Sequence, residues 1–323
     1  MKTSTLSSTV IKAEAMRLGF DACGIARVAR VDDVTAAAFD RWIVKGYHAG
    51  MEYMARHGDA RYHPEHVLPG CRTIVSLAMN YYPAQRMGDD QYQFAYYAYG
   101  KDYHDVMKAR IRQLAKAIGQ NSEFSGRPEQ TDEEPLFRVV VDSAPLLERY
   151  WALQAGLGWI GRNHNLIIPH RGSYMFLGEL LLTDEVDQYD APVANHCGTC
   201  RKCIEACPTC ALTDNGVDAQ RCLSYLTIEH RGPFSPEQAA LIRQQPKPSY
   251  IYGCDRCQRV CPHNRFATPN ETAEFQPSAA LLAMTPQDWS QLTREKYTEL
   301  FRGSPVKRAK YEGLMRNIET VSE

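Results

Sequence analysis

The 323-residue sequence predicts an α/β (α+β) domain over 1–190, a small cysteine-built domain over 191–270 and a basic helical segment over 271–323. Three observations carry this. Apolar, β-branched runs interleave with stretches of helical periodicity through the first half. Of the 11 cysteines, 9 lie between Cys197 and Cys261. Beyond them, residues 284–318 are polar and helical in pattern.

Val10, Ile11, Ala15 and Leu18 recur at helical spacing and predict a helix over 7–18 that stops at Gly19. Phe20–Val28 reads as a short strand, and 34–56 as a helix ending near His57-Gly58. After the Pro69-Gly70 turn, Arg72–Met79 has the composition of a buried strand. Residues 103–119 predict a basic amphipathic helix. Gln120–Pro135, with the acidic Glu129–Glu134, predicts an unstructured loop. Leu136–Val141 is a second buried strand, followed at once by Asp142. Pro145 then opens a helix predicted over 145–155. Asn165–Ile168 and Ser173–Thr183, joined by Pro169-His-Arg-Gly172, predict a hairpin.

Composition narrows the function classes. With 44% apolar and 23% charged residues the chain is a folded protein, and at net charge −1 any polyanion must bind a local patch. No apolar run reaches the about 18 residues of a membrane helix. The first twenty residues lack the apolar stretch of an export signal and a twin-arginine pair, so a cytoplasmic location is expected. In that reducing compartment clustered cysteines bind metal more often than they pair.

The cysteine spacing is specific. Cys197-x2-Cys200-x2-Cys203-x3-Cys207-Pro208 matches the bacterial ferredoxin run, and Cys254-x2-Cys257-x3-Cys261-Pro262 repeats it with one cysteine missing. A pair of [4Fe–4S] clusters needs one thiolate more, and Cys222 is the natural candidate, with Cys210 its competitor. By the crossing rule of two-cluster ferredoxins, cluster one takes Cys197, Cys200, Cys203 and Cys261. Cluster two takes Cys207, Cys254, Cys257 and Cys222. Zinc is the alternative, although its sites rarely use such a run. Cys23 and Cys71, in apolar contexts, are expected to be core thiols.

Gly156-Leu-Gly158-Trp-Ile-Gly161 satisfies G-x-G-x-x-G, but a helix precedes it and an extended segment follows, the reverse of a dinucleotide site. Asp102-Tyr-His104 opens like the D-x-H-x-x-G motif of one cobalamin-binding class, with Met107 in place of the glycine. Asp142 ends a buried strand, at the edge where open α/β sheets bind ligands; a helix cap or an ion pair with Arg149 is the competing role. A catalytic acid there would need a raised pKa.

Taken together, Tyr99–His104, Val141–Pro145, Gly156–Asn163, Gly172–Glu179, the double cysteine pattern with Cys222–Glu229, and Ser304–Asn317 resemble the epoxyqueuosine reductase family along nearly the whole chain. The resemblance implies a cobalamin-binding reductase domain, two [4Fe–4S] clusters, and removal of the epoxide oxygen of epoxyqueuosine at the tRNA wobble position. It implies Asp142 as the acid, with Arg149 beside it and His104 in the active site. Arg61, Asp142, Asn163, Ser173, Tyr252 and Gly253 are, by position, the candidate cobalamin contacts. The family often carries Trp where this chain has His263. An external donor such as flavodoxin or ferredoxin is expected to supply electrons, and the chain is expected to be a monomer. The tRNA anticodon stem-loop is expected to meet Lys307, Arg308, Lys310 and Arg316, in a segment with a local excess of four positive charges, and the Lys101–Lys116 helix. The alternative class is a reductive dehalogenase with similar cluster spacing, acting on a small molecule.

Overall fold

The strand Thr73–Asn80 is buried along its whole length, as a run without an outward polar face requires. It pairs antiparallel with Ala22–Arg27 on one side and with Met175–Leu182 on the other. Met175–Leu182 in turn pairs antiparallel with Leu136–Val140, and Ser122–Glu123 closes that edge in parallel to complete a five-stranded sheet. The α+β form of the prediction is therefore the one realised. This computed structural model describes residues 5–124 and 136–323; the acidic Glu129–Glu134 lies outside the described residues.

Successive side chains leave a strand on opposite faces. Val75, Leu77 and Met79 pack with Ile11 of helix Ser8–Arg17 and with Met107 and Ile111 of helix Tyr103–Ala117. Ile74 and Ala78 face the other way, toward Trp151 and Ala152 of helix Glu148–Gln154. Gly24 permits that last helix to approach, because a Cβ there would sit 2.0 Å from the Ala155 carbonyl oxygen.

Four elements depart from the sequence reading. The helix expected over 34–56 runs only from Asp33 to Val44. The cysteine-rich domain holds the chain on both sides of that end: Trp42, in the helix's last turn, donates Nε1 to Val217 O at 2.7 Å, and Gly50 N, beyond it, donates to the Tyr225 hydroxyl at 2.9 Å. The helix expected from Pro145 begins at Glu148, because Asp142 takes a left-handed φ of +50° and its N–H is held by the Glu148 carboxylate. The expected hairpin is replaced by two pairings. Leu166–Ile167 pairs with Trp159–Ile160, and Met175–Leu182, apolar on both faces, fills the sheet centre. The polar tail breaks into Pro286–Ser290, Arg294–Leu300 and Lys310–Ser322. Pro286 and Pro305 start new helical turns there.

The cysteine-rich domain docks through Tyr250–Tyr252, which pairs in parallel with Gln93–Phe94. Helix Lys310–Ser322 is locked to it by the fully buried Asn317, whose Nδ2 donates to Thr227 O at 2.8 Å and Ile251 O at 2.9 Å. Phe94, Tyr252, Trp289, Phe301 and Leu314 join the same apolar core as the sheet strands. Among the described residues, no helix is long and apolar enough to cross a membrane.

Candidate functional site

Asp142 stands where strand Leu136–Val140 ends, exposed and in its left-handed turn. Its Oδ2 accepts a hydrogen bond from the Tyr103 hydroxyl. Tyr103 opens helix Tyr103–Ala117, whose N-cap is Asp102, and its ring stacks on Phe176 at 4.3 Å. His104 stacks on Tyr103 at 4.2 Å, and its Nδ1 lies 2.7 Å from Asp102 Oδ1. Hydrogen bonds from His104 and Lys307 hold the Asp102 carboxyl well below the usual carboxylate range, against its desolvation. The structure thus gathers Asp102, Tyr103, His104 and Asp142. Arg149 is near enough to feel the Asp142 charge, but its Nη1 donates to His164 O, so the expected ion pair is not the arrangement found.

Behind Asp142 lie two acids the sequence reading did not single out. Glu148 Oε1 accepts from the Asp142 N–H at 2.7 Å. Glu179, fully buried in Met175–Leu182, sits beside Glu148, and Ser76 is its register partner across the sheet. Burial raises both carboxyl groups well above the usual range; the charges of Glu179 and Asp142 add to the rise at Glu148, and that of Asp142 adds to it at Glu179. A lone glutamate inside an otherwise apolar strand was the available signal.

The cysteines fall into two groups. Cys197, Cys200, Cys203 and Cys261 line a cavity of about 120 Å³ with Asn163, Ile167 and His263. Cys203 and Cys261 are raised by burial and by the thiols around them. Cys257 is raised by burial and then by Cys254, Cys222 and Cys207, which gathers the second set around it. Burial pushes Cys254 up to about 12. Cys210 is exposed. Among the described residues no group of His, Cys, Asp and Glu converges on a single metal ion. Four thiols spread around a cavity suit a multi-atom cluster, so the donor set fits [4Fe–4S] better than zinc. His263 packs edge-on against Trp159 at 4.9 Å.

The remaining candidates scatter. Arg61 is buried, with its guanidinium on Met54 O and Tyr53 O, and braces that loop. Ser173 Oγ donates to Gln258 at 2.9 Å. Tyr252 donates to Pro305 O at 2.8 Å, and Gly253 N to Thr227 Oγ1 at 2.8 Å. Asn163 Nδ2 is buried without a partner, a donor left for a bound group. Of the basic residues, Lys307 pairs with Asp102 at 3.0 Å and Arg308 with Glu229 at 2.7 Å. Arg316 corrects the expectation of a phosphate contact. Its guanidinium donates to the carbonyls of Leu226, His230 and Gly232, lies 4.0 Å from the Phe234 ring, and is pulled down to about 10 by burial. Lys310 is exposed and makes no ion pair among the described residues. In the Lys101–Lys116 helix, Arg112 pairs with Glu123 at 2.8 Å and Arg110 with Glu274 at 3.6 Å.

Fold and site together define an iron–sulfur oxidoreductase: a mixed α/β domain presenting an acid beside a double-cluster module. The family model for "Epoxyqueuosine reductase QueG, DUF1730" matches residues 61–143, and that for the 4Fe-4S double cluster binding domain matches 196–264. The chain is 43% identical to an epoxyqueuosine reductase of Leadbetterella byssophila over 98% of both chains, and 39% identical to that of Pseudomonas aeruginosa over 95% of this chain and 82% of the other. It belongs to the epoxyqueuosine reductase family. A crystal structure of epoxyqueuosine reductase with a tRNA-Tyr epoxyqueuosine-modified stem loop aligns with a TM-score of 0.82 and 26% identity, covering 96% of this chain and 79% of that one. The Bacillus subtilis enzyme, solved with its catalytic aspartate loop swung out of the active site, aligns at 0.80 with 25% identity, covering 96% and 79%.

Proposed function

We propose that this chain removes the epoxide oxygen of epoxyqueuosine in the anticodon loop of tRNA, with Asp142 as the proton donor. The observation that carries the assignment is the placement of Asp142. It is an exposed carboxyl in a left-handed turn, oriented by the Tyr103 hydroxyl and backed by buried acids. Family membership supplies the substrate class. When bound, the two clusters and cobalamin supply the electron pair that deoxygenation requires, the oxygen leaving as water.

The chain's own residues do the rest. Cys197, Cys200, Cys203 and Cys261 would hold one cluster, and Cys207, Cys222, Cys254 and Cys257 the other. Asn163, with its unpartnered Nδ2, is the candidate cobalamin contact that fits a bound corrin. The Asp102 carboxylate engages His104 Nδ1 and fixes the orientation of that ring beside Tyr103. Asp142 donates its proton to the departing oxygen, and Tyr103 keeps the carboxyl aimed. Arg149 places positive charge beside the acid and stabilises negative charge developing on that oxygen. The Asp142 turn is able to swing, as in the Bacillus subtilis relative. Lys310 and the outer face of the Tyr103 helix approach the stem-loop phosphates, and an external one-electron carrier delivers electrons in the cytoplasm.

The test is reconstitution with clusters, cobalamin and reductant, followed by assay of epoxyqueuosine loss from a tRNA stem-loop. Turnover without cobalamin, or turnover undiminished in Asp142→Asn, contradicts the assignment.

A further inference from the structure

Glu179 is a fully buried carboxyl in the central strand of the sheet, and neither of its oxygens has a settled hydrogen-bond partner in the described structure. The two groups near enough to share hydrogen with it are the Ser76 hydroxyl and the Glu148 carboxyl. Glu148 is also buried, and its Oε1 already accepts from the Asp142 N–H. An anion pair in that position would combine desolvation with like-charge repulsion. One shared proton removes both costs, as in other carboxyl pairs.

We propose that Glu148 and Glu179 form a proton-sharing latch that positions the catalytic turn: Glu179 holds Glu148, and Glu148 holds the Asp142 backbone in its left-handed conformation. The latch rests on the reading of Asp142 as the acid. The charged and titratable groups facing the pair are Asp142 on the turn, Tyr103 on its helix and Arg149 on the helix that Glu148 begins, with the Ser76 hydroxyl across the sheet. While the pair keeps a proton, the turn is held and the Asp142 carboxyl stays on Tyr103. When the last proton leaves, two buried anions repel each other and Asp142, and the turn is released. Burial disfavours the doubly ionised pair, so the latch is closed while the pair keeps its proton and opens as pH rises through the raised range of the two carboxyls.

The test uses the full reconstituted enzyme and hydrogen–deuterium exchange of the peptide spanning 141–147, alongside turnover of the epoxyqueuosine stem-loop. In Glu148→Ala the exchange of that peptide speeds up about tenfold and kcat falls by a similar factor with KM little changed. Glu148→Gln keeps an oxygen for the Asp142 N–H and an NH2 for Glu179, so it restores most of both losses. In the wild type, protection of 141–147, corrected for intrinsic exchange, declines as pH is raised toward the alkaline side; in Glu148→Gln it stays flat. If Glu148→Ala exchanges as the wild type does, or Glu148→Gln keeps the alkaline decline, the latch is overturned. Exchange reads the latch without reference to catalysis, whereas Asp142→Asn turnover reads the acid, so the two failures are told apart.

Discussion

Replacing Asn317 by alanine tests how the tail supports the second cluster. Asn317 is fully buried in helix Lys310–Ser322. Its Nδ2 bonds Thr227 O, in the helix that begins after Cys222, and Ile251 O, in the strand that leads to Cys254. One side chain therefore ties together two of the segments that carry the proposed cluster-two cysteines, those of Cys222 and of Cys254 and Cys257. Alanine removes both bonds and leaves two buried carbonyls unsatisfied. At about 1.5 kcal/mol for each, the loss is about 3 kcal/mol, roughly a hundredfold in the unfolding constant. Urea unfolding followed by circular dichroism and by cluster absorbance should show the lowered midpoint, with the cluster signal lost first. Asn317→Leu restores volume without a donor and should lose nearly as much. A loss below about 1 kcal/mol in both variants would refute the reasoning, because a buried amide with two carbonyl partners cannot be so dispensable.

Tyr103→Phe leaves the ring stacked on Phe176 but removes the donor to Asp142; kcat should fall about tenfold with KM nearly unchanged in stem-loop turnover. The raised carboxyls of Glu148 and Glu179 mean that the folded state binds more protons than the unfolded chain above the ordinary carboxylate range. Stability should therefore fall as pH rises from about 5 toward the raised folded values, and Glu179→Gln should flatten that slope in urea midpoints. In the loaded protein, an alkylating reagent should modify the exposed Cys210 first, while Cys23 and Cys71, both pushed up to about 12 by burial, react only on unfolding; mass mapping reads this. Lys310→Ala should lower the salt dependence of stem-loop binding by about one counterion, whereas Arg316→Ala should lower stability and leave that slope unchanged.

What was legible in the sequence was what depends on neighbours along the chain. The strand at Thr73–Asn80 shows in its largely apolar run, and the G-x-G-x-x-G stretch was set aside because a helix precedes it and an extended segment follows; helix Glu148–Gln154 does precede it. The close grouping of Cys197, Cys200 and Cys203 follows from spacing, because two-residue gaps keep cysteines on one loop. What failed depended on distant partners. Nothing near Val44 announces that Val217 and Tyr225 will hold the chain on either side of it. The tail looked like free positive charge until Glu229, 79 residues from Arg308, supplied its partner. Tyr103 and Glu179 were passed over for the same reason. Each acquires meaning only beside Asp142.

Asp142 was expected at a ligand-binding edge by a rule for parallel sheets, yet the long strand beside its own, Met175–Leu182, runs antiparallel to it. The site arises from unequal strand lengths instead. Leu136–Val140 pairs with Met175–Leu182 only as far as Val140 opposite Glu179, while Met175–Gly178 continue along Asn80–Leu77. The sheet is thus left without its fourth strand beside Phe176, and the Tyr103 ring stacks there. The chain leaving Val140 must turn at this step, and Asp142 follows two residues later. A glutamate opposite the last paired residue is therefore placed under the turn by register alone. Shortening one strand creates the gap, brings the hydroxyl to the acid, and sets a buried carboxyl behind it. That explains why the acid chemistry lies at this edge although the parallel-sheet rule does not apply.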